Sequence, residues 1–370
     1  MRSLQVSILV PLALIAACER EPTIEYSPEF EDRLAAINER YVFADMHAHP
    51  SRFHRANVES ITPEEIGLYK ANGMHVLVAN ISTDMAFSGG YENRDGTEVE
   101  RGRHKPEPGA AFALTVDRLQ RLRKTFDDGI AVFAADPAAA LAAKAAGEVA
   151  VIPALEGADG LEGDINNLHL LYADGLRLIQ LVHFRANELG HIQTYPYSPG
   201  GLTEFGRQVV REANRLGIVV DLAHANTETI LDVLEISQHP VIFSHGGLKA
   251  IHEQDRALTD EEIRSIAGGG GIIGIWPNGS SVPDVAAMVD LIEHVIEVAG
   301  VDHVGIGSDL RGMSSYAAGF DETAEFRAIA RELMNRERSD DEIGQIMGGN
   351  FFRIWLEVAN NEPNGLQSIE

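Results

Sequence analysis

Five histidines, a glutamate and an aspartate stand at the ends of short apolar runs, and together they have the chemistry of a two-metal hydrolase site. The runs are Tyr41–His47 (continuing to His49), Val149–Glu156, Leu176–His183, Ile218–His224, Pro240–His245 and His303–Asp309. A short run of Val, Ile and Leu bounded by turn residues reads as a strand buried on both faces. A ligand-type residue at the C-terminal end of such a strand has no packing purpose. One strand-end histidine is ordinary. Six runs that end this way point to one structural slot, and in a (β/α)8 barrel that slot is the catalytic face.

His47-Ala48-His49 is an H-x-H whose two rings are expected to reach one metal in the barrel mouth. Imidazole suits zinc and similar ions. Glu156 closes its run with two carboxylate oxygens, enough to bridge two cations. A carbamylated lysine is the other common bridging device, but the next run ends in His183 and no strand-end lysine is present. Glu156 is therefore the expected bridge. His224 and His245 end neighbouring runs and are expected to pair on the second metal. Asp309 ends the last run, beside the first, within reach of a metal-bound water. The other nine histidines, among them His54, His75, His169 and His294, read as structural.

Positioning these groups requires a frame. Gly73–Ser82 and Gly271–Pro277 complete a set of eight apolar strands. Helical spacing fills most of the gaps, at Pro63–Asn72, Ala110–Phe126, Pro137–Ala146, Leu202–Leu216, Thr227–Ser237, Thr259–Ala267, Val282–Ala299, Thr323–Asn335 and Asp340–Ala359. Strands alternating with helices imply parallel strands and right-handed crossovers. The expected fold is α/β, a (β/α)8 TIM barrel of the metallo-dependent hydrolase type over residues 41–360, with a C-terminal tail at 361–370. A doubly wound open sheet is the alternative. It gathers its site at one switch point, whereas these ligands are spread along the whole chain. The irregular segment Asp84–Gly109 belongs on the catalytic rim, as a lid or as a surface loop.

The chain has 370 residues, and its formal charge of −26 argues against nucleic acid and anionic membrane surfaces as partners. Residues 1–18 read as a lipoprotein signal peptide: a short charged start, an apolar stretch Val6–Ala17, and Leu14-Ile15-Ala16-Ala17-Cys18 as a bacterial lipobox. Cys18 is the expected lipidation site. It is the only cysteine, so no intrachain disulfide forms. Residues 19–40 read as a tether and N-terminal segment, with Glu19–Pro28 its polar part. The expected location is the bacterial cell envelope, facing the periplasm, with membrane contact only through the lipid anchor.

From about Phe43 to Ala359 the chain resembles the membrane dipeptidase (renal dipeptidase) family of the amidohydrolase superfamily. The motifs that carry the resemblance are Gly201-Leu202-Thr203-Glu204-Phe205-Gly206, Val209-Val210-Arg211-Glu212-Ala213-Asn214-Arg215-Leu216-Gly217 and Asp221-Leu222-Ala223-His224. Val241-Ile242-Phe243-Ser244-His245, Val304-Gly305-Ile306-Gly307-Ser308-Asp309 and Gly349-Asn350-Phe351 add to them. The resemblance implies a barrel with two Zn2+. His47 and His49 would hold one ion, His224 and His245 the other, with Glu156 between them. It further implies that His183 contacts the substrate near the scissile carbonyl, that Arg256 binds the substrate carboxylate, and that Asp309 handles the proton. A homodimer is left open.

Three positions depart from the family pattern. His49 replaces the second-ligand aspartate, Arg311 stands where another acid is usual, and Gly246-Gly247 replaces Ser-Ser. The function implied is a zinc-dependent dipeptidase that tolerates a D-residue at the C-terminal position and attacks with a metal-bridging hydroxide. His49 and Arg311 motivate an alternative, a related amidohydrolase acting on N-acyl amino acids or lactones. A non-catalytic peptide-binding lipoprotein is the remaining reading, and it leaves Asp309 and Glu156 without a purpose.

Overall fold

The computed structural model describes residues 26–55, 58–87, 106–194, 199–320 and 325–360. Cys18 and its leader, the tail 361–370, and residues 88–105 of the segment read as a lid or surface loop lie outside them.

Ten strands occur among the described residues: β1 (Ala44–Ala48), β2 (Val76–Ser82), β3 (Val132–Phe133), β4 (Ala150–Glu156), β5 (Leu178–Gln180), β6 (Val219–Asp221), β7 (Ile242–Leu248), β8 (Ala257–Leu258), β9 (Ile272–Ile275) and β10 (Val304–Ile306). Eight lie side by side in the order β1-β2-β4-β5-β6-β7-β9-β10, every pair parallel. A bridge between Ala48 and Leu310 returns the last strand to the first. There the N–H groups of His49 and Asp309 donate to the carbonyls of Leu310 and His47, both at 2.8 Å. The result is a nearly closed barrel with helices between its strands, the (β/α)8 architecture, and not an open sheet. The eight barrel strands coincide with the eight apolar runs. The two-residue strands β3 and β8 flank β4 and β7, and they are too short to carry a pattern.

Alternation along each strand sorts the side chains. On β4, Ala150, Ile152 and Ala154 join an inner cluster with Val76 and Val78 of β2, while Val151 and Leu155 pack under the helices. Glu156 continues the inner file to the mouth. β1 departs from this order. Ala44 and Met46 belong to the inner cluster, but Ala48 belongs to the outer one. The register against β2 shifts between Asp45 and Ala48. Such an irregularity re-aims side chains, and here it turns His47 and His49 into the mouth. β7 has a matching shift between Phe243 and Gly246, around His245.

Helix Asn350–Ala359 closes the opposite end with Phe351, Ile354, Trp355 and Val358. The apolar spacing predicts one helix over Asp340–Ala359. It is instead interrupted by a π-helical stretch at Gln345–Gly349, where Gly348 has a φ of +156°. A Cβ on Gly348 would lie 2.4 Å from the Ala44 nitrogen and 2.5 Å from the Val42 oxygen, so the helix opens where β1 enters the barrel. Two helices carry no mark in the sequence reading, Pro28–Arg40 and Ile165–Ala173. The first starts where the polar tether is expected to end, capped by Ser27, and buries Leu34 and Ile37. No described helix is long and apolar enough to cross a membrane.

Gly307 and Gly274 approach the backbone behind His245, and a Cβ on either would lie 1.8 Å from the Ser244 oxygen. Gly307→Ala is expected to lower unfolding free energy by about 3 kcal/mol, the upper end for overpacked interiors. Gly67→Ala, on an exposed helix turn with nothing within 4 Å of the new methyl, is expected to be neutral or to stabilise by about 0.5–1 kcal/mol. Paired urea melts of the two variants check this.

Candidate metal centre

The residues expected from the sequence meet at the mouth of the barrel. His47, His49, Glu156, His183, His224, His245 and Asp309 are all buried. Several of them stand just past their strands. His183 and His224 each follow the last paired residue by three positions, and so does Asp309. His224 and Asp309 are left-handed, with φ of 69° and 47°, a conformation that non-glycine residues adopt at a cost and that concentrates at functional sites.

Glu156 is the hub. Its Oε1 lies 3.3 Å from His47 Nε2, 3.2 Å from His183 Nε2, 3.4 Å from His224 Nε2 and 3.9 Å from His245 Nε2. Its Oε2 lies 3.1 Å from His49 Nε2. His224 Nε2 and His245 Nε2 are 3.2 Å apart, and Asp309 Oδ1 is 3.6 Å from His49 Nε2. Three overlapping triads of donor atoms are close enough to share an ion: His47, His49 and Asp309; His47, Glu156 and His245; and Glu156, His183 and His224. His47 Nε2 and Asp309 Oδ1 have no hydrogen-bond partner. Burying that many polar atoms is costly unless something compensates them, and divalent cations do. The donor set therefore fits a metal centre.

Protonation favours ligation at three rings. Burial holds His47 below the usual histidine range. Burial, with Arg256 nearby, holds His224 far below it, and burial with His47 and Arg256 does the same to His245. Neutral imidazole is the form that binds metal. Burial also opposes charge on His49 and His183, but Glu156 outweighs it at His49, and Asp84 with Glu156 at His183, so both are raised. Glu156 stays well below the carboxylate range against its burial, because His183, His49 and His47 surround it. Burial pushes Asp309 up to about 7, against the pull of His49.

Arg256 joins the group. Its Nη2 is 2.9 Å from His245 Nε2, its Nη1 donates to Gln193 Oε1, and its guanidinium stacks over Trp276 at 5.3 Å. The departures from the family pattern resolve in different ways. Arg311 makes a bidentate pair with Glu65, Nε at 3.1 Å and Nη2 at 3.2 Å. A Cβ on Gly247 would lie 2.6 Å from the Gln254 amide nitrogen, so no side chain fits there without a shift. His49 keeps its place among the donors.

The sequence reading missed the groups behind the donors. Asp84 Oδ1 lies 2.8 Å from His183 Nδ1, and its Oδ2 accepts from the Phe184 N–H. Asp45 accepts from the N–H groups of His47 and Ser308 and from the Ser308 hydroxyl. Asp221 accepts from the N–H groups of Ala223 and Ser244. Charged residues inside or just after a buried apolar run were the available signal. His54, read as structural, lies with its ring 4.8 Å from that of His49.

Fold and donor set together give a (β/α)8 barrel with a cluster of residues at its mouth that could hold metal ions. Residues 34–368 match the model of the membrane dipeptidase family, peptidase family M19, and the chain belongs to that family. Dipeptidase verJ of Clonostachys rogersoniana is 34% identical over 218 residues, 57% of this chain and 56% of that protein. The chain thus spans little more than half the length of the curated relatives it matches. The probable dipeptidase PvdM from Pseudomonas aeruginosa has a similar fold, with a TM-score of 0.74 at 20% identity over 91% of this chain and 100% of that one. So does a metallo peptidase from Rhodobacter sphaeroides, liganded with a phosphinate mimic of the dipeptide L-Ala-D-Ala. Its TM-score is 0.72 at 22% identity, over 86% of this chain and 99% of that one.

Asp84 gives His183 a testable property. A histidine raised by a partner gains stability that is full below its unfolded pKa and lost as pH rises through the raised one. Asp84→Asn is expected to lower the His183 pKa in metal-free protein, read by NMR titration of the ring. The stability lead of the wild type over the variant should be largest on the acid side and fade as pH rises through the wild-type value.

Proposed function

We propose that this chain is a dipeptidase that holds two zinc ions and hydrolyses the peptide bond of free dipeptides, tolerating a D-residue at the C-terminal position. The observation that carries the reading is the convergence of five imidazoles on the two oxygens of one buried glutamate at the barrel mouth. His47 and His49 would hold one ion, His224 and His245 the other, with Glu156 bridging. Imidazole with a single carboxylate suits zinc. Two cations bound there lower the pKa of water toward neutrality and polarise the scissile carbonyl.

The chain's own groups supply the rest. His183, oriented by Asp84, would donate to the oxyanion that develops on the substrate carbonyl. Asp309 would take the proton of the attacking water and pass it to the leaving amine. Arg256, braced by Gln193 and Trp276, would bind the C-terminal carboxylate through charge-assisted hydrogen bonds. The dipeptide mimic carried by the Rhodobacter sphaeroides protein is the reason for including D-residues. A reading as an amidohydrolase of N-acyl amino acids or lactones drew on His49 and Arg311. The charge of Arg311 is paired with Glu65, so only His49 still favours it.

Reconstitution with zinc should give two ions per chain by elemental analysis. Glu156→Gln should reduce both that content and turnover. Uptake of no metal by the wild type defeats the proposal. Arg256→Ala should lower kcat/KM on a free dipeptide by about 10- to 100-fold with metal content unchanged, since a lost charged hydrogen bond is worth about 1.5–3 kcal/mol. The loss should shrink on the dipeptide amide. Equal cleavage of acid and amide by the wild type would favour the non-peptide reading.

We also propose that Cys18 is lipidated and holds the enzyme at the cell envelope, facing the periplasm. The lipobox-like stretch supports this. Mass spectrometry of the mature N-terminus should find an acylated Cys18, and an unmodified start downstream of it would refute the anchor.

A further inference from the structure

Ser244 stands next to His245 on β7 and is fully buried. Its Oγ is 2.9 Å from His245 Nδ1 and 3.3 Å from His47 Nδ1. The two rings lie against one another with centroids 3.9 Å apart. They come from different strands, and in the two-ion centre proposed above they serve different ions. Asp221, also fully buried, accepts from the Ser244 N–H at 2.9 Å and from the Ala223 N–H at 3.0 Å.

A serine hydroxyl has one proton and two lone pairs. The Ser244 oxygen can therefore accept from two imidazoles at once. Arg256 Nη2, 2.9 Å from His245 Nε2, fits a hydrogen on Nδ1 of His245, and when both lone pairs of Ser244 are taken His47 carries its hydrogen on Nδ1 as well. Their Nε2 atoms, 3.3 Å and 3.9 Å from Glu156 Oε1, are then lone-pair donors facing the centre. A metal-binding histidine generally gives its other N–H to an acceptor that fixes tautomer and ring angle. Here one acceptor serves two rings. The remaining ligands do not share it, because the Nδ1 atoms of His49 and His224 have no hydrogen-bond partner.

We infer that Ser244, backed by Asp221, is a positioning residue that couples the two halves of the metal centre by orienting one imidazole of each. The inference rests on the two-ion reading. Zn2+ and Co2+ titrations of metal-free wild type, Ser244→Ala and Asp221→Asn, against a competing chelator, test it. Both variants should lose affinity at both sites together, by about 10- to 100-fold. The Co2+ absorption bands of both sites should change, and the melting temperature without metal should stay close to that of the wild type. Wild-type affinity in both variants, or a loss confined to one site, overturns the inference. So does an affinity loss matched by a fall in the metal-free melting temperature, which marks a plain packing role. These outcomes leave the two-ion reading standing, whereas a wild type that takes up no metal removes both.

Discussion

A single carboxylate, kept charged in the interior, organises this molecule. Glu156 is almost completely buried, and burial alone would drive it neutral. It stays ionised because imidazoles approach both of its oxygens from different strands. Each of those rings is buried as well, and each would be expensive to bury without an opposite charge or a cation to face. The glutamate and the histidines are thus mutually required. The strand ends must bring them to within about 4 Å of one point, and only a nearly closed ring of parallel strands delivers side chains from so many directions.

That convergence disturbs the backbone, and two further carboxylates absorb the disturbance. Where β1 slips its register, Asp45 accepts from His47 N–H and from the N–H of Ser308, just past the end of β10. Where β7 slips, Asp221 does the same for Ala223 N–H and Ser244 N–H. Both acids are fully buried, and burial pushes both upward, Asp45 to about 7. A buried N–H released from the ladder must find an acceptor, so these acids are part of the barrel's hydrogen bonding as well as of the site's surroundings. The lower half of the interior has no such needs. It is apolar, closed by Trp355 and Phe351, and gives the polar mouth a rigid base.

The sequence made the barrel legible because its strands are apolar runs that stop at a polar residue. Val149–Glu156 is the plainest case: the run, its end and its ligand coincide with β4. The donors were legible for the same reason. The supporting acids were harder to see, since Asp45 and Asp221 sit inside their runs and look like interruptions. Their purpose depends on strand neighbours distant in sequence, Ser308 for Asp45 and Ser244 for Asp221. The broken helix at Gln345–Gly349 was hidden likewise, because its cause is the passage of Val42 and Ala44 beside Gly348. Periodicity reports a residue's own element and is silent on what crosses it.

The departures from the family pattern can now be weighed by charge. Arg311 adds a positive charge beside the mouth, but Glu65 lies against it in a largely buried bidentate pair, so little of that charge reaches the site. Gly247 changes shape without changing charge, and the Gln254 amide lies where a side chain on it would start. His49 is different. It faces Glu156 at 3.1 Å and Asp309 at 3.6 Å with an imidazole where the family usually has a carboxylate. One negative charge is therefore missing from the donor set itself, where the surroundings screen least. Any difference in metal preference or substrate charge between this chain and its relatives should trace first to residue 49, and only then to the rim.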